Sequence, residues 1–181
     1  MIYALLDFDL VKKYNVSIED FINKAKELDA KIIQYRDKNS NIKDIKNRLL
    51  KIRSLWDKTL IINDYIDLVQ FCDGLHIGQE DLEKYKTIEN IRTIIGNKIL
   101  GLSTHNKEEI LQANKLNLNY IGLGAYRPTT TKNVTSIKGD ELLKLAKLSI
   151  HPVAIIGGVK LNDKIDTTYK VIGSDIFKQI K

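Results

Sequence analysis

The sequence predicts an α/β protein of the (β/α)8 TIM-barrel class, compact and with a shortened C-terminal end. Three observations predict it. Short β-rich apolar runs alternate with longer segments of helical period, and this alternation recurs eight times. Most of the runs are near-continuously apolar, as expected of parallel strands covered on both faces. Polar residues gather at the C-terminal ends of the runs, where a parallel barrel carries its site. An open doubly wound sheet would alternate in the same way with fewer strands, and no G-x-G-x-x-G fingerprint follows the first run.

The predicted strands are 2–8, 31–36, 59–64, 74–78, 99–104, 120–125, 152–157 and 169–174. The helix after the first strand begins at Ser17, with Asp20 three residues on, the spacing of an N-cap and its acidic partner. Helical period continues over 39–56, 82–95, 106–116 and 139–148, while 65–72 is brief and the last helix, from about Asp175, has barely one and a half turns. The 181 residues suit one core, so a single domain over 1–181 is expected.

The formal charge is +6, but Lys and Arg are scattered along the helical segments with Asp and Glu among them. A solvated, slightly basic surface is the reading, with no nucleic-acid partner; a mildly positive field also suits an anionic substrate. The single Cys72 reads as a small buried hydrophobe. The first residues carry acids and no positive leader, and no apolar run reaches membrane-spanning length, so no membrane and a cytoplasmic address are expected.

Gln34, Arg36 and Lys38 alternate at period two and therefore project to one side of an extended segment. Two cations and an amide then face one ligand, an arrangement suited to a diphosphate. Asp64 and Asp81 end adjacent strands and could share a magnesium ion, which favours one or two carboxylates plus phosphate oxygens. Both are also ordinary helix caps. Thr129-Thr130-Thr131-Lys132, Gly157-Gly158 and Gly173-Ser174 read as a second anion site. His76 reads equally as an interior histidine or a catalytic one, and His105 stands at the mouth, either in proton transfer or at a helix start.

Taken in order, Gln34-Tyr35-Arg36-Asp37-Lys38, Asn63-Asp64, His76-Ile77-Gly78-Gln79-Glu80-Asp81, Ser103-Thr104-His105, Pro128-Thr129-Thr130-Thr131-Lys132 and Gly157-Gly158 resemble the motifs of the thiamine-phosphate synthase family. The resemblance implies a magnesium-dependent transferase. Its small-molecule substrates would be 4-amino-2-methyl-5-hydroxymethylpyrimidine diphosphate and 4-methyl-5-(2-phosphoethyl)thiazole, joined with release of diphosphate. It implies Gln34 on the pyrimidine, and Arg36, Lys38, Asn63 and Lys132 on the diphosphate. Asp64 and Asp81 would hold magnesium, and Ser103 would lie beside the reacting groups. Ser103, Lys132 and Arg36 would then be the catalytic residues, while Thr129, Thr131, Gly158, Gly173 and Ser174 would receive the thiazole phosphate. A thiazole tautomerase-like barrel using His105, or a non-catalytic barrel binding thiamine intermediates, are the alternatives. The family usually has a longer strand 7 to strand 8 connection and a full final helix. A partner copy over that thin seam, a homo-oligomer, is a further expectation.

Overall fold

Eight parallel strands pair in sequence order and close on themselves: β1 (Ile2–Asp7), β2 (Ile32–Arg36), β3 (Thr59–Asn63), β4 (Gly74–Ile77), β5 (Ile99–Thr104), β6 (Tyr120–Leu123), β7 (Val153–Ile155) and β8 (Tyr169–Ile172). The computed structural model describes residues 1–127 and 139–180. The architecture is a (β/α)8 TIM barrel. Among the described residues no helix is long and apolar enough to cross a membrane.

Each strand splits its residues between two environments because successive side chains point to opposite faces. Outward residues such as Leu6, Ile33, Leu60, Leu75, Leu100 and Ile121 pack in the large core shared with the helices. That core takes the apolar stripes of α2 (Ile18–Glu27), through Phe21, Ile22 and Ala25, and of α3 (Ile42–Leu55), through Ile45, Leu49 and Ile52. Ser17 caps α2 by accepting a hydrogen bond from the Asp20 amide at 3.0 Å, and Asn41 caps α3 through the Asp44 amide. Inward residues form a second cluster inside the barrel, with Tyr3, Leu5, Ile32, Ile61, Tyr120, Ala154 and Val171. Tyr3, Tyr120 and Tyr169 meet edge to face there, with ring centroids 5.9 to 6.3 Å apart.

Room for Tyr120 comes from Gly101 on the neighbouring strand, where an added Cβ would stand 2.1 Å from the phenol ring. The ring is buried among other side chains and has nowhere to retreat. Gly101→Ala should therefore cost about 1–3 kcal/mol of stability through overpacking. Denaturant unfolding measures this, and Tyr120→Leu in the same background should restore part of the loss.

The structure differs from the sequence reading in several places. A helix, α1 (Phe8–Tyr14), follows β1 directly: Asp7 accepts from the amides of Asp9 and Leu10, and Asn15 closes the helix at φ 50°. The segment expected as one helix over 82–95 is two, α4 (Gln79–Tyr85) and α5 (Ile88–Ile95), because Lys86 turns to φ 68° and Thr87 caps the second. The short segment at 65–72 is a 3₁₀ helix, Ile66–Phe71, and the helix α6 (Lys107–Ala113) is also shorter than expected.

A further difference is that no helix separates β7 from β8, so the alternation fails at its seventh unit; α7 (Gly139–Ala146) precedes β7. Residues 156–168 instead cross with Gly157 and Gly158 at positive φ, and pack Val159, Leu161 and Ile165 onto the core. The barrel still closes, with Ile2 opposite Lys170 and Ala4 opposite Ile172. The brief α8 (Ser174–Phe177) supplies Phe177, 1% exposed, whose ring packs against Tyr14 and Phe21 at 5.7 and 4.7 Å. One large aromatic at the end of a single turn thus fills the seam.

Candidate active site

The polar residues sit where the inward face of each strand runs past the apolar layer. On β2 the inward series is Ile32, Gln34, Arg36; on β3 it is Ile61, then Asn63; on β5 it is Gly101, then Ser103. A cavity at the C-terminal end of the barrel is lined by Gln34, Arg36, Lys38, Asn63, Asp64, His76, Ser103 and His105. Its walls are chiefly strand ends, a rigid frame for charged side chains.

Arg36 pairs with Asp7 across the β1/β2 register, where Asp7 is 2% exposed. Asp7 thus both caps α1 and anchors the guanidinium, a role the sequence reading missed although the residue ends a strand as the other site residues do. Lys38 reaches Asp64 at 3.3 Å and Glu80 at 3.9 Å. Asp37, also buried, turns away from the cavity to Arg48 at 2.9 Å.

Asp64 follows β3 with φ 67°, a left-handed conformation uncommon outside glycine and tolerated by Asp. Burial pushes its carboxyl above the ordinary range; Lys38 opposes the shift and the negative charge of Asp81 adds to it. The two aspartates are therefore close enough to repel. Asp81 also takes a hydrogen bond from the Gly78 amide at 3.0 Å, so its capping use is real. A divalent cation fits this donor set, since magnesium uses one or two carboxylates and completes its shell with waters and phosphate oxygens. Among the described residues no group of three or more His, Cys, Asp or Glu could hold a metal.

Beneath these charges runs a buried polar chain. Gln34 Nε2 donates to Tyr3 Oη at 2.8 Å, Tyr3 and Tyr120 hydroxyls meet at 2.8 Å, Tyr120 meets His76 Nδ1 at 2.8 Å, and His76 Nε2 meets Ser103 Oγ at 2.9 Å. Burial raises both tyrosine pKa values, so each hydroxyl keeps its proton. Gly122 leaves space for the imidazole, whose Cε1 would lie 3.1 Å from a Cβ there. His76 is thus an interior, fully engaged histidine that also lines the cavity. Tyr3 and Tyr120 carry no sequence signal beyond an aromatic in a strand. His105 pairs through Nδ1 with Glu109 at 2.9 Å.

A second, smaller cavity is lined by Gly158, Gly173 and Ser174, and shares Leu5, Ile156 and Gly157 with the first. The two therefore adjoin across the ends of β7 and β8. Thr129, Thr131 and Lys132 lie outside the described residues.

The family model for thiamine monophosphate synthase matches residues 5–171. A thiamine-phosphate synthase of Persephonella marina is 36% identical over 172 residues, covering 91% of this chain and 79% of that protein. One from Dictyoglomus turgidum is 37% identical over 170 residues, covering 86% and 74%. Among solved structures, the thiamine phosphate pyrophosphorylase of Pyrococcus furiosus superposes with a TM-score of 0.79 at 24% identity, over 99% of this chain and 94% of that one. That likeness supports the same barrel. On the sequence matches, the chain belongs to the thiamine monophosphate synthase family.

Proposed function

We propose that the chain is a thiamine-phosphate synthase, a transferase joining 4-amino-2-methyl-5-hydroxymethylpyrimidine diphosphate to 4-methyl-5-(2-phosphoethyl)thiazole. The observation that carries this reading is the convergence of Arg36, Lys38, Asn63 and Asp64 on one cavity that adjoins the Gly158, Gly173 and Ser174 cavity. A diphosphate and a separate phosphate then have neighbouring places. The relatives' names agree.

In the reaction the bond between the pyrimidine methylene carbon and the diphosphate oxygen breaks, and its electron pair leaves with the diphosphate. The thiazole nitrogen then gives its lone pair to the methylene carbon. No protein nucleophile is needed, and what the chain supplies is position and charge. Arg36 and Lys38 face the leaving group, Asn63 adds a neutral donor, and Gln34 meets the pyrimidine. Asp64 and Asp81 would hold magnesium, which when bound neutralises charge on the departing diphosphate. Lys132, Thr129 and Thr131, which lie outside the described residues, complete the reading by their motif.

Incubation with both substrates and magnesium should yield thiamine phosphate and diphosphate in equal amounts, and chelation of the metal should stop both. A folded sample that releases no diphosphate would overturn the reading. The His105 contact with Glu109 at the cavity wall favours a second one, proton transfer on a thiazole phosphate. Solvent deuterium exchange into the thiazole without diphosphate release would select it.

A further inference from the structure

The chain of hydrogen bonds beneath the cavity joins two residues that line it, Gln34 and Ser103, through Tyr3, Tyr120 and His76. When every hydroxyl donates along the row and the imidazole is neutral, the row has two senses, each the reverse of the other. The Gln34 amide decides between them. Its nitrogen faces Tyr3, and an amide N–H only donates. The Tyr3 oxygen accepts, and its own hydrogen goes to Tyr120; the Tyr120 hydrogen goes to Nδ1 of His76. A neutral imidazole in this sense carries its proton on Nε2 and offers it to Ser103 Oγ. Two groups are left pointing outward in fixed senses: the Gln34 carbonyl oxygen as an acceptor and the Ser103 hydroxyl as a donor.

We propose that Tyr3, Tyr120 and His76 are positioning residues that couple the acceptor state of Gln34 to the donor state of Ser103, so that recognition of an amine on the pyrimidine sets the hydroxyl that meets the leaving oxygen. The proposal rests on the synthase reading for the identity of the ligand. An aminopyrimidine diphosphate presents an N–H donor to Gln34 and anionic oxygen to Ser103, matching the sense set by the Gln34 amide at both ends. A pyrimidine with an oxo group in place of the amine sets an acceptor against the Gln34 oxygen, and at that position it matches only the reverse sense, which turns Ser103 into an acceptor facing an anion. One buried network would thus reject the wrong base twice, by an unmatched group at Gln34 and by a lost donor at Ser103. Gly101 and Gly122 fit this role, since a Cβ at either would press on Tyr120 or His76.

The test uses the intact chain. In ¹⁵N-histidine spectra without substrate, His76 should show an unprotonated Nδ1 and a protonated Nε2; a proton on Nδ1 overturns the proposal whatever the enzyme's activity. In turnover with the aminopyrimidine diphosphate and its oxo analogue, Tyr120→Phe should reduce the preference for the amine, as a ratio of kcat/KM, at least about tenfold. It should also lower kcat by about ten- to a hundredfold while leaving KM for the thiazole phosphate unchanged. An unchanged preference in folded Tyr120→Phe overturns the coupling, and Tyr3→Phe, cut one link earlier, serves if the first variant does not fold. His76→Gln, whose amide nitrogen can stand near Nε2, should recover kcat relative to His76→Leu, and equal rates in the two overturn the positioning role. Wild-type protein that makes no thiamine phosphate would refute the synthase reading, while the histidine spectra would still decide the network.

Discussion

Asp64→Asn is expected to lose turnover by a factor on the order of 10²–10³, the scale of losing one organised electrostatic contact to a developing charge, while gaining stability. The two effects have one cause. Asp64 is a partly buried carboxyl on which the Asp81 charge acts, an arrangement that costs the fold and that the proposed magnesium would relieve. Because its folded-state pKa is raised, the native chain binds this proton more tightly than the unfolded chain does. The stability contribution is full below the ordinary carboxylate value, near pH 4, and is lost as pH rises through the raised one. The uncharged Asn escapes that loss, so the variant should melt above wild type at neutral pH without metal, and the gap should close on acidification. Magnesium should then raise the melting temperature of wild type and not of the variant. Retention of full magnesium-dependent turnover by the variant would refute the assignment. Asp81→Asn keeps an oxygen for the Gly78 amide and loses only the charge, so its turnover separates capping from metal binding.

The largest expected effect on stability lies at Arg36. Removing it leaves Asp7, whose side chain is 2% exposed, as a buried charge without its principal partner. Breaking such a pair typically costs about 3–5 kcal/mol, or roughly 6–20 °C in melting temperature for a chain of this size. Arg36→Met should show this loss in thermal unfolding. Asp7→Asn in the same background should recover most of it, because Asn removes the stranded charge and still caps α1 through the Asp9 and Leu10 amides. Turnover should stay low in the double variant, since the guanidinium proposed to face the diphosphate is still missing. Equal melting temperatures for Arg36→Met and wild type would show that the pair does not hold this corner of the barrel.

Period and composition carried the architecture. Apolar runs spaced by helical segments specify parallel strands with covered faces, and period two puts Gln34, Arg36 and Lys38 on one side before any partner is known. Motif order carried the family for the same reason: each motif ends a strand, and strand ends meet at one mouth. The helix α1 stayed hidden because its signal is a single Asp cap after an apolar run, with Leu10 its one buried residue. The short connection between β7 and β8 was legible as a segment without helical period, but not its path, which turns on two left-handed glycines.

The sequence by itself determined the barrel, its polar rim and the family. Only the tertiary structure decided who faces whom inside it. Arg36 finds Asp7 from 29 residues away, and Tyr3 finds Tyr120 from 117 away, through the stagger with which the closed sheet sets one strand against the next. Alternation tells which face a side chain takes, and says nothing of which residue stands opposite. That register is a property of the closed barrel, and with it come the anchored guanidinium, the repelling aspartates and the chain from Gln34 to Ser103.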